Sequence, residues 1–188
     1  MNKPWYKEWF NSPYYHLLYR HRDNEEAKMF LNNLHKTLHL SPAHHILDLA
    51  CGRGRHSIYL NSLGFEVTGV DLSEANIRYA RQYENNRLHF AIHDMKEVYK
   101  PQAFDAVLNL FTSFGYFRND EENQQVIHAV SSMLKAGGIF VLDYLNVSPI
   151  QLDEQVKQIE MDDVHFRIRK YIENDRIIKE IEVIDGKN

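Results

Sequence analysis

The hydrophobic positions of this chain change period repeatedly, and each change marks an element. Ala27, Met29, Phe30, Leu34 and Leu38 recur at helical spacing from Asn24 to Leu40 until Ser41-Pro42 breaks the pattern, which predicts an amphipathic helix. A short apolar run from His45 to Ala50 ends in the turn Cys51-Gly52-Arg53-Gly54, after which Ser57-Ile58-Tyr59-Leu60 resumes helical spacing: strand, tight loop, helix. Gly64 stands where a helix C-cap needs a left-handed residue, and Phe65 to Asp71 has the β-branched content of a second strand. Ser73 suits the N-cap of a helix running to about Glu84, and Leu88 to Asp94 alternates as a third strand. Phe104 to Phe111 reads as a fourth, buried strand. Asp120 to Leu134 follows as a helix closed by Ala136-Gly137-Gly138, and Ile139 to Leu145 as a fifth strand.

Strands alternating with helices over this length predict an α/β fold, with a mostly parallel sheet doubly wound between helices on both faces. Beyond Pro149 the rhythm changes. A short helix is predicted to about Ile159; Val164 to Ile172 and Arg176 to Ile184 then alternate with period two around Glu173-Asn174-Asp175, which predicts a β-hairpin. The opening segment is aromatic, with Trp5, Tyr6, Trp9, Phe10, Tyr14, Tyr15 and Tyr19. It reads either as a helix packing its aromatic face on the main body or as a lid over a bound ligand, and the sequence leaves both open.

Composition narrows the class without changing the fold. With 188 residues, 44% hydrophobic and 26% charged, the chain has the size and makeup of one globular domain, which excludes disordered, collagenous and repeat classes. A formal net charge of −4 leaves no basic footprint for a phosphate backbone, so nucleic acid is not an expected partner. Apolar runs are strand-sized, and the amino terminus lacks the charged and apolar regions of a secretory signal, so no membrane association and a cytoplasmic location are expected. Cys51 is the only cysteine, which excludes an internal disulfide framework and a multi-cysteine zinc cage. None of the eleven histidines forms a metal-binding helix pair beside an acid, and no metal is expected.

In an open parallel sheet, ligands bind outside the carboxyl ends of the strands, beside the point where strand order reverses. Here the first strand contains Asp48 and leads into Gly52 and Gly54, the second ends at Asp71, and the third ends at Asp94. Glycines let a backbone approach a ligand that any Cβ would push away. A carboxylate about 20 residues beyond such a loop is placed to accept from both ribose hydroxyls, which is the role expected of Asp71. Asp94 can accept from an exocyclic adenine amine, with the backbone N–H of Met95 meeting a ring nitrogen. An adenosine cofactor is thereby outlined. A dinucleotide fingerprint wants a third glycine where this chain has Ser57, so the match to a nicotinamide cofactor is weak.

The stretch Ile46 to Ser57, I-L-D-L-A-C-G-R-G-R-H-S, resembles the first motif of the class I S-adenosylmethionine-dependent methyltransferases. Val70-Asp71-Leu72-Ser73 is similar to their second motif, His93-Asp94-Met95 to their third, Phe104 to Phe117 to their fourth-strand segment, and Leu134 to Asn146 to their L-K-P-G-G helix-turn-strand, with Ala136 replacing the proline. The resemblance spans about residues 40 to 146 and points to the small bacterial type with a C-G-x-G-R-H motif. It implies a three-layer Rossmann-like sheet, S-adenosyl-L-methionine as cofactor, and a cofactor site of Asp48, Ala50, Cys51, Gly52, Gly54, Asp71, Leu72, Asp94, Met95, Leu110 and Phe111. Residues 1–188 are then one methyltransferase domain: a helical lid or packing segment over 1–40, the cofactor core over 41–146, and a substrate-side helix and β-hairpin over 147–188. The family sheet ends with two further antiparallel strands, which we expect to be absent here, leaving an edge that a homo-oligomer would cover.

Methyl transfer from a sulfonium is an in-line displacement, in which positioning the acceptor about 3 Å from the methyl carbon supplies most of the catalysis. His16, His56, Tyr116 and Tyr144 are the candidate bases by type and location. Arg20 and Arg55 are weighed as partners of the cofactor's carboxylate against the reading of each as a solvated surface arginine. Cys51 has the small side chain a tight loop accepts, and a nucleophilic role would need a depressed pKa. After the fourth strand the chain reads Asn109-Leu110-Phe111-Thr112, not the N/D-P-P-Y/F of enzymes that methylate base or glutamine amino groups, and it has no cysteine there for cytosine chemistry. A small-molecule acceptor is expected. The alternatives are an S-adenosylmethionine-binding module without catalytic activity and a nicotinamide-dependent oxidoreductase.

Overall fold

The computed structural model describes residues 4–20, 24–111, 113–117, 119–145, 155–173 and 176–186. The chain forms two compact units, one of Met1–Asn11 with Asp23–Tyr144 and one of Ser12–Arg22 with Leu145–Asn188.

The first unit holds helices α1 (Trp5–Asn11), α3 (Asn24–Thr37), α4 (Arg55–Ser62), α5 (Glu74–Ala80) and α6 (Asp120–Met133). Its strands are β1 (His45–Leu49), β2 (Glu66–Asp71), β3 (Leu88–Ile92), β4 (Phe104–Asn109) and β5 (Leu134–Leu142), ordered β3-β2-β1-β4-β5. Every pairing is parallel, and the order reverses between β1 and β4. This is the expected Rossmann-like, doubly wound sheet. Successive strand side chains point to opposite faces, and both faces are buried, which is why the strands read as nearly continuous apolar runs. On one face Ile46, Val67, Leu88 and Leu108 pack with Leu31, Leu60 and Ile77 from α3, α4 and α5; on the other, Leu47, Leu49, Val70 and Val107 pack with Val126, Val130 and Met133 from α6.

Turn chemistry agrees with the sequence at several ends. Gly64 follows α4 at φ +93, and Ser73 Oγ accepts from Asn76 N–H to cap α5. Met29, assigned to the apolar stripe of α3, is instead 65% exposed, while Ala27 and Leu31 carry the burial. β5 starts earlier and ends earlier than its apolar run suggests. A bulge between the pairs Phe104↔Leu134 and Ala106↔Ile139 absorbs Lys135–Gly138, with Gly137 at φ +78, and the strand stops at Leu142.

The aromatic amino-terminal segment is two helices, not one. Ser12 accepts from Tyr14 N–H and Pro13 occupies the first turn of α2 (Pro13–Leu18), where its missing N–H costs nothing, so a new helix starts immediately after α1. Trp5, Tyr6 and Phe10 belong to the first unit, and Tyr14, Tyr15 and Tyr19 to the second.

In the second unit, β6 (Gln155–Met161), β7 (Val164–Glu173) and β8 (Arg176–Asp185) form an antiparallel sheet ordered β6-β7-β8. The hairpin strands of the sequence reading are β7 and β8, paired from Val164↔Asp185 to Glu173↔Arg176; Asn174-Asp175 lies outside the described residues. The helix expected to about Ile159 is corrected: Gln155–Ile159 is strand, because its pairing with β7 supplies ladder bonds that an isolated turn of helix would lack. The earlier part of that expected helix lies outside the described residues. Val164, Phe166 and Ile168 share a buried face. Helix α2 and the turn after it are tied to this sheet by Tyr14 Oη donating to Asp185 at 3.0 Å, by the Arg20–Asp162 ion pair at 2.5 Å, and by Lys179 donating to Tyr19 Oη.

Candidate functional site

The loop after β1 is built on three successive demands. Ala50, Gly52 and Gly54 all have left-handed φ, at +63, +57 and +80. Cys51 N–H donates to Val70 O at 2.9 Å, which ties the loop to β2, and Gly54 N–H donates to Cys51 O at 3.0 Å, which closes the turn. A Cβ on Gly54 would lie 2.7 Å from the Phe90 ring, whereas one on Gly52 would meet nothing within 4 Å. Gly54 is therefore glycine for packing, and Gly52 leaves open space above its backbone.

Asp71, the last residue of β2, faces this loop. Its Oδ2 accepts from Gly52 N–H at 2.9 Å and its Oδ1 from Ser73 N–H at 2.8 Å. Burial pushes its pKa above the usual carboxylate value, and the bonds from Ser73, Gly52 and the Asn76 side chain pull it back. A carboxylate has about four acceptor positions, so these bonds leave room for a ligand hydroxyl. Leu72, next along, is half-buried between Asp71 and the α5 cap.

Asp48 is placed differently. It is 1% exposed inside β1 and accepts from Ser57 Oγ at 2.6 Å, so Ser57, at the third glycine place of a dinucleotide loop, orders the start of α4 from below. Burial pushes the Asp48 pKa up to about 6; the bonds from Ser57 oppose the rise and nearby Asp71 adds to it. The folded-state pKa lies above the unfolded one, so the contribution of this group to stability is fully present below about pH 4 and is lost as pH rises to about pH 6. Asp48→Asn keeps an acceptor for Ser57 without the charge. Its melting temperature at about pH 7.5 is expected to exceed that of the native chain by several degrees, the two converging near about pH 4; an equal offset at every pH in thermal scans would refute this.

Cys51 is buried beside the same acids. Its pKa is pushed well up, first by burial and then by the charges of Asp48 and Asp71, so the thiol stays protonated and is no nucleophile. At the end of β3, Asp94 Oδ1 accepts from Lys96 N–H at 3.1 Å, and half-buried Met95 packs against the α6-side core. Lys96 Nζ pairs with Glu122 of α6 at 2.8 Å and lies 5.3 Å from the Phe117 ring centroid.

Beyond β4, Leu110 is buried and Phe111 takes φ +58, a conformation unfavourable for a residue with a Cβ. What holds it is Asp143, just past β5, whose Oδ2 accepts from Phe111 N–H at 2.9 Å. His56 stacks on the Phe111 ring at 4.8 Å and 16°, and the Arg55 guanidinium lies 4.8 Å from the same ring. Arg20 pairs within the second unit, leaving Arg55 as the arginine of the pair that the first unit places beside the loop.

The four candidate bases are dispersed. His16 belongs to the second unit. His56 is 7% exposed against Phe111; Tyr116 packs edge-on against Trp5 and Phe10, each at 5.5 Å; Tyr144 is 54% exposed with its ring near Phe114. Helix α1 thus lies against Tyr116 and Phe117 at one point and reaches α5 at another, where Ser73 Oγ donates to Asn11 Oδ1 at 2.6 Å. Asn11, Asn76, Asn109 and Asp143 were not singled out from sequence; Asp143 is an acid just past a parallel strand, as Asp71 is at the end of one, but the expected strand ran on to Leu145 and placed it inside. Among the described residues no group of three or more His, Cys, Asp or Glu side chains is placed to hold a metal ion.

A family model for a methyltransferase domain matches residues 46–138. The glycine N-methyltransferase of Oryctolagus cuniculus is 35% identical over 123 residues, which are 56% of this chain and 42% of that protein. The glycine/sarcosine N-methyltransferase of Aphanothece halophytica is 34% identical over 143 residues, 72% of this chain and 51% of that one. The chain thus spans about half the length of the curated relatives it matches, or less. In three dimensions the fold is that of an S-adenosylmethionine-dependent methyltransferase from Clostridium acetobutylicum, with a TM-score of 0.66, 22% identity, and coverage of 93% of this chain and 80% of that one. The sheet order, the glycine loop with its facing acid, and these matches agree: the chain belongs to the class I S-adenosylmethionine-dependent methyltransferases.

Proposed function

We propose that this chain binds S-adenosylmethionine along the carboxyl edge of β1, β2 and β3 and carries out methyl transfer to a small-molecule amine. The observation that carries the reading is the Asp71 carboxylate, fixed between Gly52 N–H and Ser73 N–H beside the open space over Gly52. Those features fit an adenosine cofactor: a rigid acceptor pair for ribose hydroxyls, and a backbone that a ligand can approach. In this reading Asp71 and Leu72 hold the ribose, Asp94 and Met95 the adenine, and Ala50, Cys51, Gly52, Gly54, Leu110 and Phe111 line the remainder, with Asp48 ordering the loop. S-adenosylmethionine supplies, when bound, a methyl group on a sulfonium. The residues of the chain bind it, exclude water and orient the acceptor.

Nitrogen as the acceptor atom is supported by the two curated relatives, both amine methyltransferases by name. Helix α1 serves as the lid and the core over 41–146 as the cofactor body. The proposed compartment is the cytoplasm; among the described residues no helix is long and apolar enough to cross a membrane. Half-buried β5 is an edge strand, and a second copy of the chain is its proposed cover.

Calorimetric titration with S-adenosylmethionine, S-adenosylhomocysteine and NADH tests the reading. Binding of the first two at about 1–100 μM, without NADH binding, is the expected result. Removal of Met1–Asn11 should speed S-adenosylhomocysteine dissociation about tenfold, as expected for loss of a lid. No binding of either sulfur ligand would overturn the assignment, and unchanged dissociation would leave α1 a packing element.

A further inference from the structure

We infer that Asp143 holds the acceptor's ammonium group, an inference that rests on the reading of the site as an amine methyltransferase. The edge of the sheet sets the position. From the ribose carboxylate at the end of β2, the strands run β1, β4, β5, so Asp143 stands three strand spacings from Asp71, about 14 Å across the sheet. A cofactor laid from β3 towards β1 and β4 directs its reactive end to this flank, and an acceptor of a few heavy atoms bridges the rest.

The local chemistry is suited to a cation. Asp143 Oδ2 is engaged by Phe111 N–H at 2.9 Å, and Asp143 N–H donates to Asn109 O at 2.9 Å, so the residue is fixed by its backbone and one oxygen. No other hydrogen bond of this carboxylate is present among the described residues, and most of its acceptor capacity remains. Beside it Asn109 is fully buried; its Nδ2 donates to Leu49 O at 2.9 Å, while its Oδ1 has no partner among the described residues. A carboxylate and a spare amide oxygen therefore stand at the ends of the neighbouring strands β5 and β4, a setting that favours an N–H-rich cationic ligand over a neutral hydroxyl. An ammonium acceptor must lose one proton before it reacts. Asp143 accepts that proton, the freed nitrogen lone pair forms the C–N bond, and the methyl's C–S bond breaks with its electron pair returning to sulfur. The left-handed Phe111 then has a use: its N–H orients the carboxylate that it needs as a partner.

The test needs no knowledge of the natural acceptor. Sinefungin, the cofactor analogue with a primary amine in place of the transferred methyl, projects an ammonium towards the acceptor side; S-adenosylhomocysteine has nothing there. The 188-residue chain is expected to bind sinefungin about tenfold more tightly than S-adenosylhomocysteine. Asp143→Asn, which keeps an acceptor for Phe111 N–H, should bring that ratio to about one while changing S-adenosylhomocysteine affinity by less than about twofold. The native preference should also fade as pH rises past the amine's own pKa. An absent native preference, or a ratio that survives in Asp143→Asn, overturns the assignment. Failure of the native chain to bind S-adenosylhomocysteine would overturn the cofactor reading itself, and this inference with it.

Discussion

Asp71→Ala is expected to reduce affinity for S-adenosylmethionine and S-adenosylhomocysteine by about 100-fold, because in the proposed binding mode it removes charge-assisted bonds of about 1.5–3 kcal/mol each to the ribose hydroxyls. Part of the loss is indirect. Gly52 N–H and Ser73 N–H would both lose their acceptor, so the loop after β1 and the cap region of α5 would no longer be pinned together. Asp71→Asn separates the two effects: one amide oxygen can still accept from Gly52 or Ser73, but the anionic acceptor for ribose is gone, so binding should weaken nearly as far while the fold is better preserved. Calorimetry on both variants checks this, and affinity retained within about threefold in Asp71→Ala would remove the ribose assignment.

Gly54→Ala is expected to destabilise the fold strongly, through backbone conformation and packing together. The residue's φ of +80 is costly for any side chain, about 1–2 kcal/mol, and the new methyl would lie 2.7 Å from Phe90 and 3.3 Å from Ala80 Cβ, which adds about 1–3 kcal/mol of overpacking. Together these should lower the melting temperature by about 10 °C. Phe90→Leu in the same chain would relieve the packing term and leave the conformational one, so partial rescue is expected. Full rescue would mean that the left-handed turn contributes nothing, and no loss in Gly54→Ala would refute the packing account altogether.

Most of the first unit could be read from its sequence because both faces of a parallel sheet are buried, and Ile46–Leu49 or Ala106–Leu110 are then apolar but for one buried polar residue each, Asp48 and Asn109. Asp71 and the loop glycines were legible for the same reason: polar and small residues at the end of apolar runs have few structural excuses. Gln155–Met161 escaped because its burial is slight and alternation in Q-V-K-Q-I-E-M fits a turn of helix nearly as well; it is a strand only by virtue of β7 beside it. Asp143 was hidden inside a run assigned as strand to Leu145, since sequence cannot locate the end of an edge strand whose ladder stops at Leu142. The left-handed φ of Phe111 gives no sequence signal at all, because it depends on a hydrogen bond to a residue 32 positions away. The split of the aromatic segment was visible in Ser12-Pro13, but the assignment of its halves to different units was not.

The sheet order also has a consequence for how the chain acquires its site. β1 pairs with β2 across about 20 residues and with β4 across about 60, and closing the longer loop costs about 1 kcal/mol more in chain entropy. During synthesis from the amino terminus, the first β-α-β unit, with the glycine loop and Asp71, can be complete before β4 and β5 have left the ribosome. The proposed nucleoside half of the site is then old by the time the proposed acceptor half forms, and a ligand that engages Asp71 early would act as a template on which the later strands dock.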